Sequence, residues 1–121
     1  MQESTRARVA AIIGAAARDK RVLSVYDYHA GRYKNTQVKI SGGRINGYDV
    51  NSGSHFMSNQ GRPGKLDFYD AQTRAKIQLE LSGNRFKGYD FHTGKYFHGS
   101  VNGHAIGLYD TETGRVYNYS A

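Results

Sequence analysis

The 121-residue sequence contains no cysteine and no tryptophan, and it has a single proline. The absence of cysteine excludes a disulfide framework, a thiolate metal site and a cysteine nucleophile. No apolar run approaches the roughly 20 residues that a transmembrane helix needs, so we expect no integral membrane segment. The phosphate-binding motif GxxxxGK[ST] and the hydrolase motif GxSxG are also missing. These absences predict a protein that is not an enzyme and needs no cofactor.

Glycine, tyrosine and positive charge are abundant. Fifteen glycines and ten tyrosines indicate many strands joined by many turns. Lys and Arg total 17 against ten acidic residues, which gives a net charge of +7. An excess of this kind favours polyanionic partners, and it also keeps a protein soluble. The length of the chain predicts a single domain.

A Tyr-Asp pair recurs five times, at intervals of 20 to 22 residues. Such self-similarity is the signature of a repeat architecture. An alternating apolar run precedes each pair, and a polar turn and a second alternating run follow it, so each unit predicts one β-hairpin. The pairs are Tyr26-Asp27, Tyr48-Asp49, Tyr69-Asp70, Tyr89-Asp90 and Tyr109-Asp110.

The turn after each pair has a constant chemistry. Glycine stands four residues after the Asp in four of the five units, and Arg74 takes that position in the third. In such a loop the carboxylate accepts backbone N–H bonds, and the glycine adopts a positive φ. Turn chemistry repeats along a chain, whereas active sites are asymmetric. We therefore interpret the five aspartates as structural rather than catalytic or metal-binding.

The units together predict an all-β domain over residues 22–121. It consists of five hairpin repeats of about 20 residues, that is, ten strands in an antiparallel meander. Ten strands must hide their edges, so we expect closure into a barrel or into a five-fold pinwheel of hairpins.

Residues 1–21 differ from the repeats. Val9, Ile12 and Ile13 have the spacing of one helical face, which predicts an N-terminal α-helix. We expect this helix to begin at Ser4 as its cap, and to pack on the sheet or plug one end of it. The apolar stretch VAAIIGAAA within it is weakly similar to a secretory signal. It is short and alanine-rich and follows Glu3, so the sequence favours a cytoplasmic location.

The repeated tyrosines and cations are the candidate binding residues. Each Tyr points to the face opposite its Asp, so the tyrosines form a ring or stripe that we expect to be partly buried. Basic residues recur before the strand starts and after the turn glycines, and on one rim they would form a positive collar. The candidates are Tyr26, Tyr48, Tyr69, Tyr89, Tyr109, Arg44, Lys65, Arg85, Arg32, Lys95 and Arg115.

Charge for phosphates and ring faces for bases are how proteins bind nucleic acid with little sequence preference. The alternative is that the cations solubilise turns, protect strand edges and pair with the turn aspartates. Five histidines are also present. They do not cluster as zinc ligands do, so we predict no metal site.

Three generic resemblances accompany these residues. The fragment YDTETGR at residues 109–115 resembles the strand–turn–strand element of propeller blades. The period is similar to the hairpin repeats of bacterial cell-wall-binding and glucan-binding modules, whose characteristic Trp is missing here. Residues 96–99 with Asn102, Gly103, Gly107, Gly114 and Tyr117 resemble one MORN-type repeat. These resemblances imply non-catalytic binding or scaffolding, and they assign no role to any particular residue.

The sequence thus predicts a non-catalytic binding module whose partner is a polyanion such as nucleic acid. One alternative is a carbohydrate-binding module for a glycan or cell wall. Another is a protein-interaction or structural protein that self-assembles as a homo-oligomer.

Overall fold

The computed structural model describes residues 1–58, 62 and 64–121. In this part of the chain, one helix precedes eleven strands that form a single sheet. The helix, α1, spans Glu3–Arg18. The strands are β1 (Val25–Asp27), β2 (Arg32–Lys34), β3 (Thr36–Ser41), β4 (Arg44–Asp49), β5 (Ser54–Met57), β6 (Phe68–Asp70), β7 (Ala75–Ser82), β8 (Arg85–Asp90), β9 (Lys95–Asn102), β10 (Ala105–Asp110) and β11 (Arg115–Ser120).

The sheet is an antiparallel meander that curls into a nearly closed barrel. Its order is β2-β1-β11-β10-β9-β8-β7-β6-β5-β4-β3, and neighbouring strands are antiparallel. Just before β1, Val22 and Val38 exchange two backbone hydrogen bonds of 2.9 Å, which join β3 to the other end of the sheet. The all-β class and the hairpin meander are confirmed, and the barrel is the closure adopted.

The strand count exceeds the predicted ten by one. The second strand of the first hairpin divides at Asn35 into β2, which pairs with β1, and β3, which pairs with β4. These two short strands stand at the two ends of the sheet order although one residue separates them. The divided strand is therefore the place where the barrel wall changes partners.

Alternation along the strands sends one set of side chains into the barrel. Apolar members of this set include Val25, Ile45, Phe68, Ile77 and Leu108, all of them buried. The aspartate of each Tyr-Asp pair belongs to the same inward set and is buried too. The inner wall is thus apolar along its length and acidic at the end where the hairpin turns lie.

Three inward-facing glycines make room for phenylalanine rings, and one of them is Gly99, which pairs with Phe86. Gly47 pairs with Phe56, and Gly88 pairs with Phe97 on the neighbouring strand. A Cβ on Gly88 would lie 2.3 Å from the Phe97 ring and 2.2 Å from the Gln78 carbonyl oxygen. The rings therefore occupy space that any larger side chain at these glycines would need.

Helix α1 lies inside the barrel. Residues 5–15 are all buried, and they pack against β1, β3, β7, β9, β10 and β11, which surround the helix. Val9, Ile12 and Ile13 form the predicted apolar face, and the opposite face is buried as well. A helix covered on all sides fits a narrow barrel when many of its side chains are small, as Ala10 and Gly14 are here.

The helix ends differ from the expected ones. Gln2, not Ser4, occupies the N-cap position, and it makes no side-chain capping bond, so the predicted Ser4 cap is wrong. The C-cap residue Asp19 adopts a left-handed conformation with φ of 51°, which terminates the helix. Among the described residues, no helix is both long enough and apolar enough to cross a membrane.

Candidate nucleic-acid interface

The five hairpin turns share one hydrogen-bond pattern. In each, the aspartate Oδ1 accepts the backbone N–H two residues later, at 2.8 to 3.1 Å. The fourth residue after the aspartate has a φ of 58° to 70° in every turn. It is Gly31, Gly53, Gly94 or Gly114 in four turns and Arg74 in the third. The predicted turn hydrogen bonds to the aspartates and the positive φ four residues later are confirmed.

The aspartates also hold the helix. Arg8, which is completely buried, donates through Nη1 to Asp70 and through Nη2 to Asp49 at 2.9 Å. Thr5 Oγ1 donates to the second oxygen of Asp70 at 2.6 Å. Asp70 Oδ1 thus closes its turn and also accepts from Arg8, while Oδ2 of Asp70 and Oδ2 of Asp49 accept only from α1. Paired in this way, a buried charge is tolerated in the barrel interior.

Arg6 and Arg8 are the two interior residues that the sequence analysis missed. Arg6 Nη1 lies 3.5 Å from Asp110 Oδ2, and its guanidinium carbon lies 3.8 Å from the centre of the Tyr117 ring. Arginine is rarely buried without a charged partner, so two arginines inside an alanine-rich apolar helix were a usable signal. The partners were the aspartates that alternation already placed on the inner face.

Burial of the aspartates changes the charge of the surface. Five of the ten acidic side chains are buried, compared with two of the 17 cationic ones, Arg6 and Arg8. The surface therefore carries 15 cationic and five acidic side chains. The exterior is more positive than the net charge of the chain indicates, because the sheet places negative charge inside.

The repeated tyrosines all lie on the outer face of the barrel. Tyr26, Tyr48, Tyr89 and Tyr109 are half-buried, and Tyr69 is exposed. On each hairpin, two further side chains face outward beside the tyrosine. They belong to the residues one and six positions after the aspartate. The exposed side of each tyrosine therefore depends on what its own unit places at those two positions.

Two hairpins place aromatic side chains at all three outward positions. We call these sets the first triad (Tyr26, Tyr28, Tyr33) and the fourth triad (Tyr89, Phe91, Tyr96). The central ring lies 4.9 and 4.8 Å from its neighbours in the first triad and 4.8 and 4.7 Å in the fourth, in edge-to-face packing. Phe91 is 51% exposed and Tyr96 67% exposed, so their faces are open to a ligand.

Cations adjoin the fourth triad on the outer face of β7–β9. Phe91 N donates to the carbonyl of Lys76 at 3.2 Å, so these two residues are cross-strand neighbours. Lys87 lies two residues before Tyr89 on β8 and is exposed. We call Lys76, Lys87, Tyr89, Phe91 and Tyr96 the aromatic–basic face. It borders a surface pocket of about 230 Å³.

The acids near this face are already paired. Lys65 Nζ lies 3.0 Å from Glu80 Oε1, and the hydrogen bond from Lys65 lowers the pKa of the Glu80 carboxyl. Lys76 Nζ lies 3.7 Å from Asp67 Oδ2. These exposed contacts are weak, and they leave Lys87 without an acidic side chain within 4 Å among the described residues. Lys87 is the cross-strand neighbour of Glu80, so its charge acts on that carboxylate and on any phosphate bound beside it.

The six repeated cations do not form one collar. In the strand register, Arg32, Lys95 and Arg115 lie opposite the turn aspartates of their own hairpins. We call this end of the barrel the Asp-turn rim. At the opposite rim, Arg44 lies opposite Ser41 and Arg85 lies opposite Ser82 in the strand register. Lys65 lies opposite Glu80 at the same rim. The strands between the rims separate the two sets by about 17 Å, at roughly 3.4 Å per residue. Any ligand that contacts both sets must therefore run along the barrel wall.

Histidines pack against tyrosines on the outer face. Ring centres lie 4.6 Å apart for His55 and Tyr48 and 5.1 Å apart for His98 and Tyr109. Within residues 1–58, 62 and 64–121, no three His, Asp or Glu side chains are placed to hold a metal ion.

No protein-family model, curated protein sequence or solved structure matches this chain. Its function must therefore be inferred from the residues and the geometry described above.

Proposed function

We propose that this protein is a non-catalytic module that binds a polyanion, most simply single-stranded nucleic acid. The observation that carries the proposal is the distribution of charge, with 15 cationic and five acidic side chains on the surface. Neutralising phosphates releases the counterions condensed on a nucleic acid, which favours binding independently of sequence. A strongly positive exterior also raises the rate of encounter with such a partner.

The aromatic–basic face supports nucleic acid over other polyanions. Bases stack on exposed aromatic rings, and each stacked base contributes roughly 1–3 kcal/mol in proteins that bind single strands. Tyr96 and Phe91 present such rings beside Lys76 and Lys87. A polyanion without bases would use only the two lysines.

The proposal predicts binding that depends steeply on salt. We expect the anisotropy of a labelled short single strand to rise with protein concentration in low salt. For three or four phosphate contacts, log affinity should fall against log salt with a slope of about −2 to −3, since each contact contributes roughly −0.7. Absence of binding at low salt would refute the nucleic-acid proposal.

Two variants locate the site. Lys87→Gln should flatten the salt slope by about 0.7. Its matched control is Lys39→Gln, which removes one exposed charge on β3, five strands away in the sheet order, and should leave the slope unchanged. Tyr96→Ala should weaken binding by about 1–3 kcal/mol with little change in slope. Equal effects of Lys87→Gln and Lys39→Gln would show that the aromatic–basic face is not the site.

A glycan is the second candidate, and the first triad favours it. The three tyrosines line an outer pocket of about 450 Å³ together with Ser24, Ser120 and Ala121, so no charged side chain lines it. Apolar faces of sugar rings pack on tyrosines, and the hydroxyls at the rim can bond to polar edges. Retention on a polysaccharide column that Tyr33→Ala abolishes and Tyr96→Ala preserves would support this alternative.

A further inference from the structure

A polar pocket of about 500 Å³ opens at the Asp-turn rim. It lies between the first turn of α1, strands β2 and β3, and the turns of the second and third hairpins. Arg32 and Lys34 border it from β2, Ser52 and Gln72 from the two turns, and Ser4 from the helix. Its volume is within the usual range for a small-molecule site.

The buried arginine sets the hydrogen-bonding polarity of this pocket. Arg8 Nη2 lies 3.3 Å from Ser52 Oγ and 3.1 Å from Gln72 Oε1. A guanidinium can only donate, so both oxygens act as acceptors toward Arg8. The hydroxyl proton of Ser52 and the amide NH₂ of Gln72 remain to donate to a ligand. Each of the two turn side chains therefore keeps a donor group that a ligand in the pocket can use.

Two cations converge at the same pocket. Lys34 Nζ donates to Glu3 Oε1, and Arg32 Nη2 lies 3.7 Å from that oxygen. The hydrogen bond from Lys34 is the main cause of a lowered pKa of the Glu3 carboxyl. One carboxylate oxygen thus shows where an anion is held between these cations. Asp49, the acid in the pocket wall, lies 2.9 Å from Arg8, whose guanidinium it shares with Asp70.

We infer that this pocket binds a phosphate monoester, with Arg32 and Lys34 on its charge and Ser52 and Gln72 donating to its oxygens. A terminal phosphate carries more charge than an internal phosphodiester, which suits a site with two cations. Tyr33 lies between Arg32 and Lys34 at this pocket, and its ring, 66% exposed on the outer face, is the nearby surface on which an attached base would stack. The phosphate is that of a nucleotide or of a strand end; the latter case deepens the proposed function and rests on it.

The direct test uses inorganic phosphate and a nucleoside 5′-monophosphate with the full chain. We expect saturable shifts of the Ser52 and Gln72 amide resonances in NMR titrations with either ligand. Arg32→Gln should weaken the affinity for the nucleotide about tenfold or more, as expected for loss of a charged hydrogen bond. Arg32 has a side chain that is 67% exposed, so this variant should fold.

Matched variants separate a specific site from loss of charge. Arg115→Gln removes a cation from the same repeat position on the fifth hairpin and should leave the affinity unchanged. Glu3→Gln removes the competing carboxylate and should raise the affinity. Absence of saturable shifts, or equal losses in Arg32→Gln and Arg115→Gln, would overturn the inference.

Oligonucleotides distinguish the two sources of the phosphate. Tighter binding of a 5′-phosphorylated strand than of its 5′-hydroxyl form, lost in Arg32→Gln, would assign the pocket to strand ends. Equal binding of the two forms together with a saturable nucleotide response would assign it to free nucleotides. Failure of both strands to bind at low salt would refute the proposed function alone, and the nucleotide titration would still decide the pocket.

Discussion

Arg8 donates to Asp70 with both side chains completely buried, and this bond ties the helix inside the barrel to the third hairpin turn. Asp90 holds the equivalent position in the fourth turn and is equally buried. Its Oδ1 accepts from His92 N at 2.8 Å, but its Oδ2 has no hydrogen-bond partner among the described residues. The same aspartate position thus forms an ion pair with the helix in the third turn and, in the fourth, has an oxygen without a hydrogen-bond partner in the described part of the chain.

This difference predicts losses of different size for the same substitution. Asp70→Asn removes the charge paired with Arg8 and should lower the free energy of unfolding by about 3 kcal/mol. Asp90→Asn keeps the turn acceptor and removes a buried charge that lacks a partner, so it should cost less than about 1 kcal/mol. Urea denaturation of the two variants measures both values. Equal destabilisation would contradict the different roles of the two carboxylates.

Arg74 predicts a stabilising substitution. It has a φ of 58° at the position where the other four turns have glycine, and a side chain in this region costs roughly 1 kcal/mol. Arg74→Gly should therefore raise the free energy of unfolding by about 1 kcal/mol. Gly94→Arg, the reverse change one turn along, should lower it by a similar amount. Urea denaturation measures both changes. If the denaturation midpoints of the two variants shifted in the same direction, the backbone at Arg74 would not be strained.

Two strand glycines predict contrasting tolerance to alanine. Gly88 faces the interior, where a Cβ would lie 2.2 Å from the Gln78 carbonyl oxygen, so Gly88→Ala should cost about 1–3 kcal/mol. Gly107 has no atom nearer than 3.5 Å to such a Cβ, so Gly107→Ala should be neutral or slightly stabilising. Thermal unfolding of the pair tests this, and a larger loss for Gly107→Ala would contradict the inward position of Gly88.

Tyr119 predicts a loss of stability in alkali. Burial raises the pKa of its hydroxyl well above the ordinary value, and the nearby Asp27 carboxylate acts in the same direction. Folding therefore favours the neutral form of Tyr119. Its contribution to the free energy of unfolding is complete below the unfolded pKa of about 10, and it is lost as the pH rises above that value. The loss should approach about 1.4 kcal/mol per pH unit.

Tyr119→Phe isolates this group from the other tyrosines. The Tyr119 hydroxyl has no hydrogen-bond partner among the described residues, so the variant should be at least as stable as the parent at neutral pH. Above pH 10 its stability should fall less steeply than that of the parent. Parallel pH curves for the two proteins would show that Tyr119 does not contribute.

The parts of the fold that depend on near neighbours could be predicted from the sequence. An aspartate and a glycine four residues apart determine a turn whose hydrogen bonds close within that segment, which identified four hairpins. The third, with Arg74, was identified by the repeat period. The strand count was one short because the change of partners at Asn35 depends on closure of the whole barrel. That closure has no local signal in the sequence.

The position of α1 and the division of the cations needed non-local information. Whether a helix packs on a barrel or inside it depends on the barrel radius, which the spacing of Val9 and Ile12 does not report. The two rims could have been predicted from the sequence, because the five residue steps from Arg44 to Asp49 span about 17 Å of strand. The pocket beside Arg32 could not, since it brings together α1, strands β2 and β3 and the turns of the second and third hairpins.

The enclosed helix has a consequence for hydrogen exchange. β1 pairs with β11, so the wall around α1 is completed by residues from opposite ends of the described chain. The amide of Ile12 reaches solvent only when this wall opens, and its exchange should therefore report global unfolding. Pairing over such a sequence distance also makes folding slow, because a large loop must close before the helix is sheltered. Helix α1, which precedes every strand of the sheet in the chain, is thus among the last elements to become protected.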